Sequence, residues 1–453
     1  MMEQMKPSGV DWIGDIPVSW SINRLKFMLA NEEDSLKVGP FGSSLSGTDY
    51  IPEGKWVFNQ RVVLDNNFID NDTCISDEKF QEMKSFSVYP GDILITTRGT
   101  IGKVAIVPQT APQGILHPCI IKFRLNKKLL LPELLKLLFN ETSYAQEQFA
   151  FMNNSTTIDV IYSYSLKDII LPLIPINEQK AIYAFLHKEC AQIDSIAADL
   201  EKQIALLQQY KKSLITEIVT KGLDKSVPMK DSGVEWLGKI PAHWNFKRLK
   251  FMLENSSDSM KVGPFGSALS GSDFTDEGKW VYNQRVVLDN NFSENTTFVS
   301  EEKFQEMRSF AVYPGDILIT TRGTIGKVAI VPEGANEGIL HPCIIKFRVD
   351  KEMIIPELLQ LIFNESDFVK DQFTLMSNAT TIEVIYSYSL KDILLPVIPA
   401  DEQEKIYGYL SKKCITIDGI ISEKQKALAT IIQHKKSLIY EYVTGKKRVK
   451  EVR

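Results

Sequence analysis

VYPGDILITTRGTIGKVAIVP runs from Val88 to Pro108, and the same twenty-one residues return without a change from Val312 to Pro332. The offset between the copies is 224 residues, and it holds on either side of this stretch. VDWIGDIPVSW from Val10 aligns with VEWLGKIPAHW from Val234, KVGPFGSSLSG from Lys37 with KVGPFGSALSG from Lys261, and QRVVLDNNF from Gln60 with QRVVLDNNF from Gln284. No gap is needed from Met5 to about Gly222. A period this long is far beyond the roughly 20 to 50 residues of a solenoid unit, so the chain is a tandem pair of domains.

Identity between the copies is uneven. Up to Ile176 roughly seven positions in ten match, whereas from Asn177 to Gly222 fewer than half do. Each repeat therefore has a body and a tail, which divides the chain at 1–176, 177–222, 223–400 and 401–453. The body reads as mixed α and β. Lys55 to Leu64 and Ile93 to Val107 are rich in β-branched residues, and the latter is broken at Gly99 and Gly102 as a hairpin requires. Leu131 to Met152 has helical spacing with Pro132 near its start, and Leu166 to Pro175 reads as a short apolar strand stopped by prolines.

The tail differs in kind. From Glu178 it runs 44 residues without Pro or Gly, and Leu186, Ile193, Leu200, Leu207 and Leu214 recur every seven. Cys190, Ala197, Ile204, Lys211 and Ile218 follow four residues after each, which completes an a/d heptad. The second tail keeps the register with Leu410, Ile417, Lys424, Ile431 and Leu438 beside Cys414, Ile421, Leu428, Lys435 and Tyr442. Two long amphipathic helices each need a partner, and one chain supplies both. The expected fold is thus α+β: two homologous bodies joined by helices that form an antiparallel intramolecular coiled coil with pseudo-twofold symmetry. At about 1.5 Å per residue the rod would measure roughly 65 Å.

Composition excludes several classes. At 44% hydrophobic and 24% charged residues, the 453-residue chain can bury a sizeable core. Its apolar runs, such as Ile169 to Leu171, fall far short of the roughly 20 residues of a membrane span, and MMEQMKPSGVDW has no apolar signal region. The expected location is the cytosol. Cys74, Cys119, Cys190, Cys343 and Cys414 are scattered without a C-x-x-C pair, which points to buried thiols and to no metal. The net charge of −5 leaves a local basic face as the only electrostatic route to nucleic acid.

Most candidate chemistry fails on spacing. RGTIGKV has two residues between Gly99 and Gly102 and Val104 after the lysine, so it is no Walker loop. His117-Pro118-Cys119 and His341-Pro342-Cys343 lack the flanking residues of a zinc deaminase and read as core. No catalytic motif stands out.

Polar groups in the loops carry more. Lys37, Ser43, Ser44 and Ser46 surround a glycine-punctuated segment; Asn59, Gln60 and Arg61 follow, then Thr97, Arg98 and Lys103 at the hairpin, and Thr156 in a further polar loop with Tyr162 and Tyr164 just after it. The second repeat supplies Lys261, Ser267, Ser270, Asn283, Gln284, Arg285, Thr321, Arg322, Lys327 and Thr380. Arg reads guanine bidentately, Asn and Gln read adenine, and Ser, Thr and Lys hold phosphates, so these are the side chains that DNA reading requires. The plainer alternative is a solvated loop with a structural arginine.

At this point the motifs match a family. Ile169 to Asp194 (IILPLIPINEQKAIYAFLHKECAQID) and Ile393 to Asp418 (ILLPVIPADEQEKIYGYLSKKCITID) resemble the junction into the spacer helix of Type I restriction-modification specificity subunits. VDWIGDIPVSWSINRLK and YPGDILITTRGTIGKVAIV resemble that family's target-recognition domain. The resemblance implies a non-catalytic reader of double-stranded DNA whose two recognition domains each bind half of a split target. It also implies a coil that acts as a ruler and docks two methyltransferase subunits, with a motor-nuclease subunit completing the assembly. S-adenosylmethionine, ATP and Mg would belong to those partners, with no cofactor in this chain. Family members often carry two dissimilar recognition domains; here they are nearly alike, which implies one short word read twice as an interrupted palindrome. A specificity module of a related fused methyltransferase-nuclease, or a coiled-coil scaffold for other ligands, are the alternatives.

Overall fold

The computed structural model describes residues 4–11, 13–41, 44–152, 160–265, 268–377 and 384–449. The chain divides into two compact units, Met1–Leu200 with Lys426–Arg453, and Glu201–Gln425. Each unit is one body together with a segment of each long helix.

The strands of unit 1 are β1 (Met5–Pro7), β2 (Asp15–Pro17), β3 (Ser21–Arg24), β4 (Leu36–Val38), β5 (Lys55–Phe58), β6 (Cys74–Ile75), β7 (Ser87–Val88), β8 (Ile93–Thr96), β9 (Val104–Ile106), β10 (Gly114–Leu116), β11 (Ile120–Phe123) and β12 (Ile170–Leu173). They form two four-stranded sheets, ordered β6-β5-β10-β7 and β4-β11-β8-β9, and two pairs, β1-β2 and β3-β12. Successive side chains of a strand face opposite sides, and β8 uses this fully. Ile93 and Ile95 point into a core shared with helices, while Leu94 points into the core against the other sheet. That double burial explains a strand with no polar face.

The helices are α1 (Gln60–Leu64), α2 (Asp77–Glu82), α3 (Pro132–Glu141), α4 (Tyr144–Met152), α5 (Ser163–Asp168) and the 46-residue α6 (Ile176–Lys221). Three sequence expectations change here. The strand expected over Lys55 to Leu64 ends at Phe58, because Asn59 caps a helix by accepting from Val62 N at 3.1 Å. The helix expected over Leu131 to Met152 is two helices: the Thr142 hydroxyl bonds back to Leu138 O and accepts from Tyr144 N, which ends one and starts the next. In Leu166 to Pro175 only Ile170–Leu173 is strand, preceded by α5. The hairpin at Gly99 and Gly102 is present as β8-β9, with φ of 64° and 76° at these glycines.

Unit 2 repeats this order with β13 (Met229–Asp231), β14 (Lys239–Pro241), β15 (Asn245–Arg248), β16 (Met260–Val262), β17 (Phe274–Thr275), β18 (Lys279–Tyr282), β19 (Phe298–Val299), β20 (Ala311–Val312), β21 (Ile317–Thr320), β22 (Val328–Ile330), β23 (Gly338–Leu340), β24 (Ile344–Phe347) and β25 (Leu394–Val397). Its helices are α7 (Gln284–Asp289), α8 (Glu301–Glu306), α9 (Pro356–Glu365), α10 (Phe368–Ser377), α11 (Ser387–Lys391) and the 44-residue α12 (Ala400–Val443). The two-residue β17 is an addition; unit 1 has only an isolated bridge from Ile51 to Cys74 there.

The heptad residues lie where the two long helices meet inside each unit. In unit 1, Leu186, Cys190 and Ile193 of α6 share a core with Leu438, Ile439 and Val443 of α12, and Ile431 packs at its edge. In unit 2, Leu214, Ile215 and Ile218 of α6 share a core with Leu410, Cys414, Ile417 and Ile421 of α12, with Ile204 and Leu207 alongside. Leu200 is half-buried. Within each unit the segments run antiparallel: Phe185 meets Tyr442 and Asp194 meets Lys435 in one, Gln203 meets Lys424 and Lys211 meets Asp418 in the other. No described helix is long and apolar enough to cross a membrane.

Candidate nucleic-acid interface

Strand direction gathers the loops at one end of the body. β5 and β10 are parallel, and their last residues, Phe58 and Leu116, pair with each other. β4 and β8 both run antiparallel to β11, so both end where β11 begins. Backbone bonds tie these ends together: His117 N to Phe58 O at 3.2 Å, Thr97 N to Cys119 O at 3.0 Å, and Gly39 N to Ile120 O at 2.9 Å. The loops after β4, β5, β8 and β10 therefore leave from one place. Gly39 allows the closest approach, since a Cβ there would sit 2.1 Å from His117 O. Val160 joins them by a bridge to Arg98.

Within that end, the predicted residues fall into two groups. Some are committed to the fold. Asn59 is the α1 cap and also donates to Thr73 Oγ1 at 3.0 Å, and Asn283 does the same with Thr297 at 2.9 Å. The buried Thr97 and Thr321 hydroxyls donate to Cys119 O and Cys343 O, each at 2.9 Å. Lys103 and Lys327 turn inward to the carbonyls of Asn140 and Asn364, in the last turn of α3 and α9, where cations offset the helix dipole. Ser46 and Ser270 close capping boxes with Asp49 and Asp273. Lys37 and Lys261 sit mid-strand with their ammonium groups 5.4 Å and 5.1 Å over the rings of Phe86 and Phe310.

The second group is open to solvent. Arg61 and Arg285 have side chains 78% and 79% exposed, and their nearest carboxylates, Asp65 and Asp289, are loose surface partners at 3.6 Å and 3.4 Å. Such pairs are worth little in water, so an incoming phosphate can displace them. Arg98 and Arg322 are exposed and have no acidic partner among the described residues. Ser44 is exposed, whereas Gln60 and Gln284 are half-buried and lie across the hairpin turns, with their Nε2 atoms 3.2 Å from where a Cβ at Gly99 or Gly323 would be. Ser43, Thr156, Ser267 and Thr380 lie outside the described residues.

Two features of this end are aromatic. Tyr162 and Tyr164 stack at 5.4 Å and stay exposed, as do Tyr386 and Tyr388. Phe41 and Phe265 are 73% and 77% exposed beside the Gly39 and Gly263 loops; an aromatic set between proline and glycine was the signal for them. His117 is half-buried, and burial pulls its imidazole below the usual histidine range while Nδ1 accepts from Cys119 N at 3.1 Å. It is therefore neutral near pH 7 and adds no positive charge to this end. Sequence reading also missed a buried ionic cluster, Asp92 with Lys122 and Arg124, in which the Asp92 hydrogen bond raises the arginine and burial lowers the lysine. The signal was IIKFRL, where Lys122 and Arg124 share one face of an otherwise apolar strand.

All five cysteines are free, and among the described residues no group of His, Cys, Asp and Glu could hold a metal ion. The arrangement offers exposed guanidinium groups, amides, hydroxyls and aromatic faces on a rigid end, which suits recognition of a polar, anionic surface.

Known proteins resemble this chain in sequence and in fold. A family model described as the Type I restriction modification DNA specificity domain matches residues 47–206 and again 261–429. A putative type I restriction enzyme MjaX specificity subunit of Methanocaldococcus jannaschii is 25% identical over 446 residues, covering 97% of this chain and 96% of the relative. The type I restriction enzyme EcoBI specificity subunit of Escherichia coli is 24% identical over 375 residues, covering 80% and 75%. A chain solved in work on complex assembly and conformational transition of the type I R-M system has a TM-score of 0.66 at 16% identity, covering 95% of this chain and 99% of its own, a likeness of fold. With the specificity-domain model matched twice along one chain, the protein belongs to the Type I restriction-modification DNA specificity family.

Proposed function

We propose that this chain is the DNA-recognition subunit of a Type I restriction-modification complex, and that each body reads half of a bipartite target. The observation that carries this is the doubled loop end: exposed Arg61, Arg98 and Ser44 lie with half-buried Gln60 in unit 1, and Arg285, Arg322 and Gln284 take the matched positions in unit 2. Because the hairpins are identical in sequence, both half-sites are the same short word in inverted orientation. The paired tails set the number of base pairs between the halves and dock two methyltransferase subunits; motor-nuclease subunits complete the restriction complex. The chain itself is non-catalytic, and S-adenosylmethionine, ATP and Mg act in the partners.

The test is binding to duplex DNA, with the chain purified together with a co-expressed methyltransferase subunit. Retention should fall at least about ten-fold between 50 and 200 mM salt, since each phosphate contact releases a counterion. Arg98→Ala with Arg322→Ala should remove sequence preference while leaving the weak, salt-sensitive binding. Salt-independent retention, or none, would overturn the reading in favour of a scaffold.

A further inference from the structure

The base of the Thr97–Lys103 hairpin is held by more than its own strands. Asn140, in the last turn of α3, bonds both ways with the backbone of Val104: Val104 N donates to Asn140 Oδ1 at 2.9 Å, and Asn140 Nδ2 donates to Val104 O at 2.8 Å. The Asn140 carbonyl accepts from Lys103 Nζ. The next residue, Glu141, meets Lys435 of α12 at 2.7 Å, and Lys435 holds Asp194 of α6 at 2.8 Å. A continuous run of bonded groups thus leads from the reading hairpin to the seam between the helices.

Unit 2 builds the same run. Val328 N donates to Asn364 Oδ1 at 2.8 Å, Asn364 Nδ2 to Val328 O at 2.7 Å, and Lys327 Nζ to Asn364 O at 2.6 Å. Glu365 then meets Lys211 of α6 at 2.6 Å, and Lys211 meets Asp418 of α12 at 2.8 Å. In both units the lysine comes from the tail of the other repeat.

Packing alone does not call for these lysines. An apolar residue of similar volume serves a seam at least as well as a buried ion pair. The surrounding seam has drifted, with Ala197 opposite Ile421, Leu200 opposite Lys424, Ile204 opposite Leu428 and Ile218 opposite Tyr442 in the alignment of the tails. Lys211 and Lys435, Asp194 and Asp418, and Glu141 and Glu365 have not changed. Burial pulls the Lys435 ammonium down, but hydrogen bonds to Asp194 and Glu141 outweigh it and hold the group above the usual lysine value. It is therefore charged at neutral pH, as are the two carboxylates it meets.

We propose that Lys435 and Lys211 are positioning residues for DNA reading, each orienting the hairpin of the body it packs against through the final turn of α3 or α9. The hairpin carrying Arg98 therefore answers to the second tail and the hairpin carrying Arg322 to the first, an assignment that rests on the function proposed above.

Hydrogen–deuterium exchange without DNA tests the coupling itself. Lys435→Met removes the bridge while Glu141 and Asp194 remain 39% and 59% exposed, so no unpaired charge is buried. It should speed exchange roughly five-fold or more in 87–109 and 132–141, leaving 311–333 and 356–365 unchanged; Lys211→Met should do the reverse. Ser87 against Ala311, and Gln109 against Glu333, distinguish the otherwise identical peptides. Lys435→Arg, which can still reach both carboxylates, should restore the slow rate. Unchanged exchange in the hairpins, or equal change in both, overturns the proposal.

Sequencing the fraction of a random duplex pool retained by the complex tests the consequence. Lys435→Met should blur one half of the selected site and the double variant both. A coupled hairpin with undiminished selection in both halves overturns the role in reading. If the wild-type complex retains no preferred sequence although the exchange results hold, the coupling stands and the proposed function fails.

Discussion

The bodies and the tails of the two repeats have changed to different extents, and the contrast shows what each must keep. The β8-β9 and β21-β22 hairpins are identical over twenty-one residues, while tail positions facing the same seam exchange Ala for Ile or Leu for Lys. A hairpin sandwiched between two cores has no free face: Ile93, Leu94, Ile95 and Ala105 are each 0% exposed, so any change of volume is felt. A seam between helices tolerates apolar swaps as long as its pattern persists. The bodies are thus fixed in detail and the tails only in register, apart from the charged positions that tie one to the other.

The sharpest way to break that contrast is to take away the second tail. Of the described residues, 426–449 contribute Leu438, Ile439 and Val443 to the core of unit 1 and none to the core of unit 2. Truncation after Gln425 should therefore unfold the first body, nearly 250 residues away in sequence, and spare the second; limited proteolysis with mass spectrometry would show which half survives. Point substitutions at the same contact give a graded version. Ile439→Ala and Ile215→Ala remove fully buried side chains from equivalent places, and each should cost about 2 to 5 kcal/mol of the unit it packs in, read by chemical denaturation.

The exposed turn of the hairpin should behave oppositely. Arg98→Ala should leave the melting temperature unchanged within error and cost about 1 to 3 kcal/mol in binding if its contact is to a base. Asn59→Ala sits one loop away and should do the reverse, losing about 0.5 to 2 kcal/mol of stability through the α1 cap. The smallest effect is with pH. Hydrogen bonds from Ser46 hold Asp49 below the usual carboxylate range, and those from Lys26, with the charge of Arg24, do the same for Asp168; Asp273 and Asp392 match them in unit 2. A depressed folded value means stability that is present above the unfolded value of about 3.9 and lost as pH falls through the folded values. Thermal melts should therefore decline gently from pH 7 to about 5, as unfolding lets the half-buried neutral His117 and His341 take up protons, and fall further below about 4 as these carboxylates protonate.

Much of this was legible in the letters. The repeat, the heptads and the break at Gly99 and Gly102 are periodic or local signals, and the structure follows them. What the letters hid depends on distant partners. VVL after Asn59 has strand-forming residues, and only the cap bond to Val62 N turns it into helix. Lys103 looked available to a phosphate because its acceptor, Asn140 O, is 37 residues on. Lys435 stood in the letters only as one of the heptad positions, because Glu141 and Asp194 are far upstream. Of the candidate reading residues, the arginines of the hairpin turns and of the short helices α1 and α7 proved exposed, whereas Asn, Thr and Lys at strand ends were drawn into capping and turn bonds, the ordinary fate of such residues at chain reversals.

The reading of two like words is tested most directly by selecting from a random duplex pool with the wild-type complex and sequencing what is retained. The account predicts one short word present twice, inverted, with a fixed gap, and lengthening both α6 and α12 by one heptad should widen that gap by about 3 base pairs, given rises of roughly 1.5 Å per residue and 3.4 Å per base pair. A single contiguous word, two unrelated words, or a gap indifferent to helix length would contradict it.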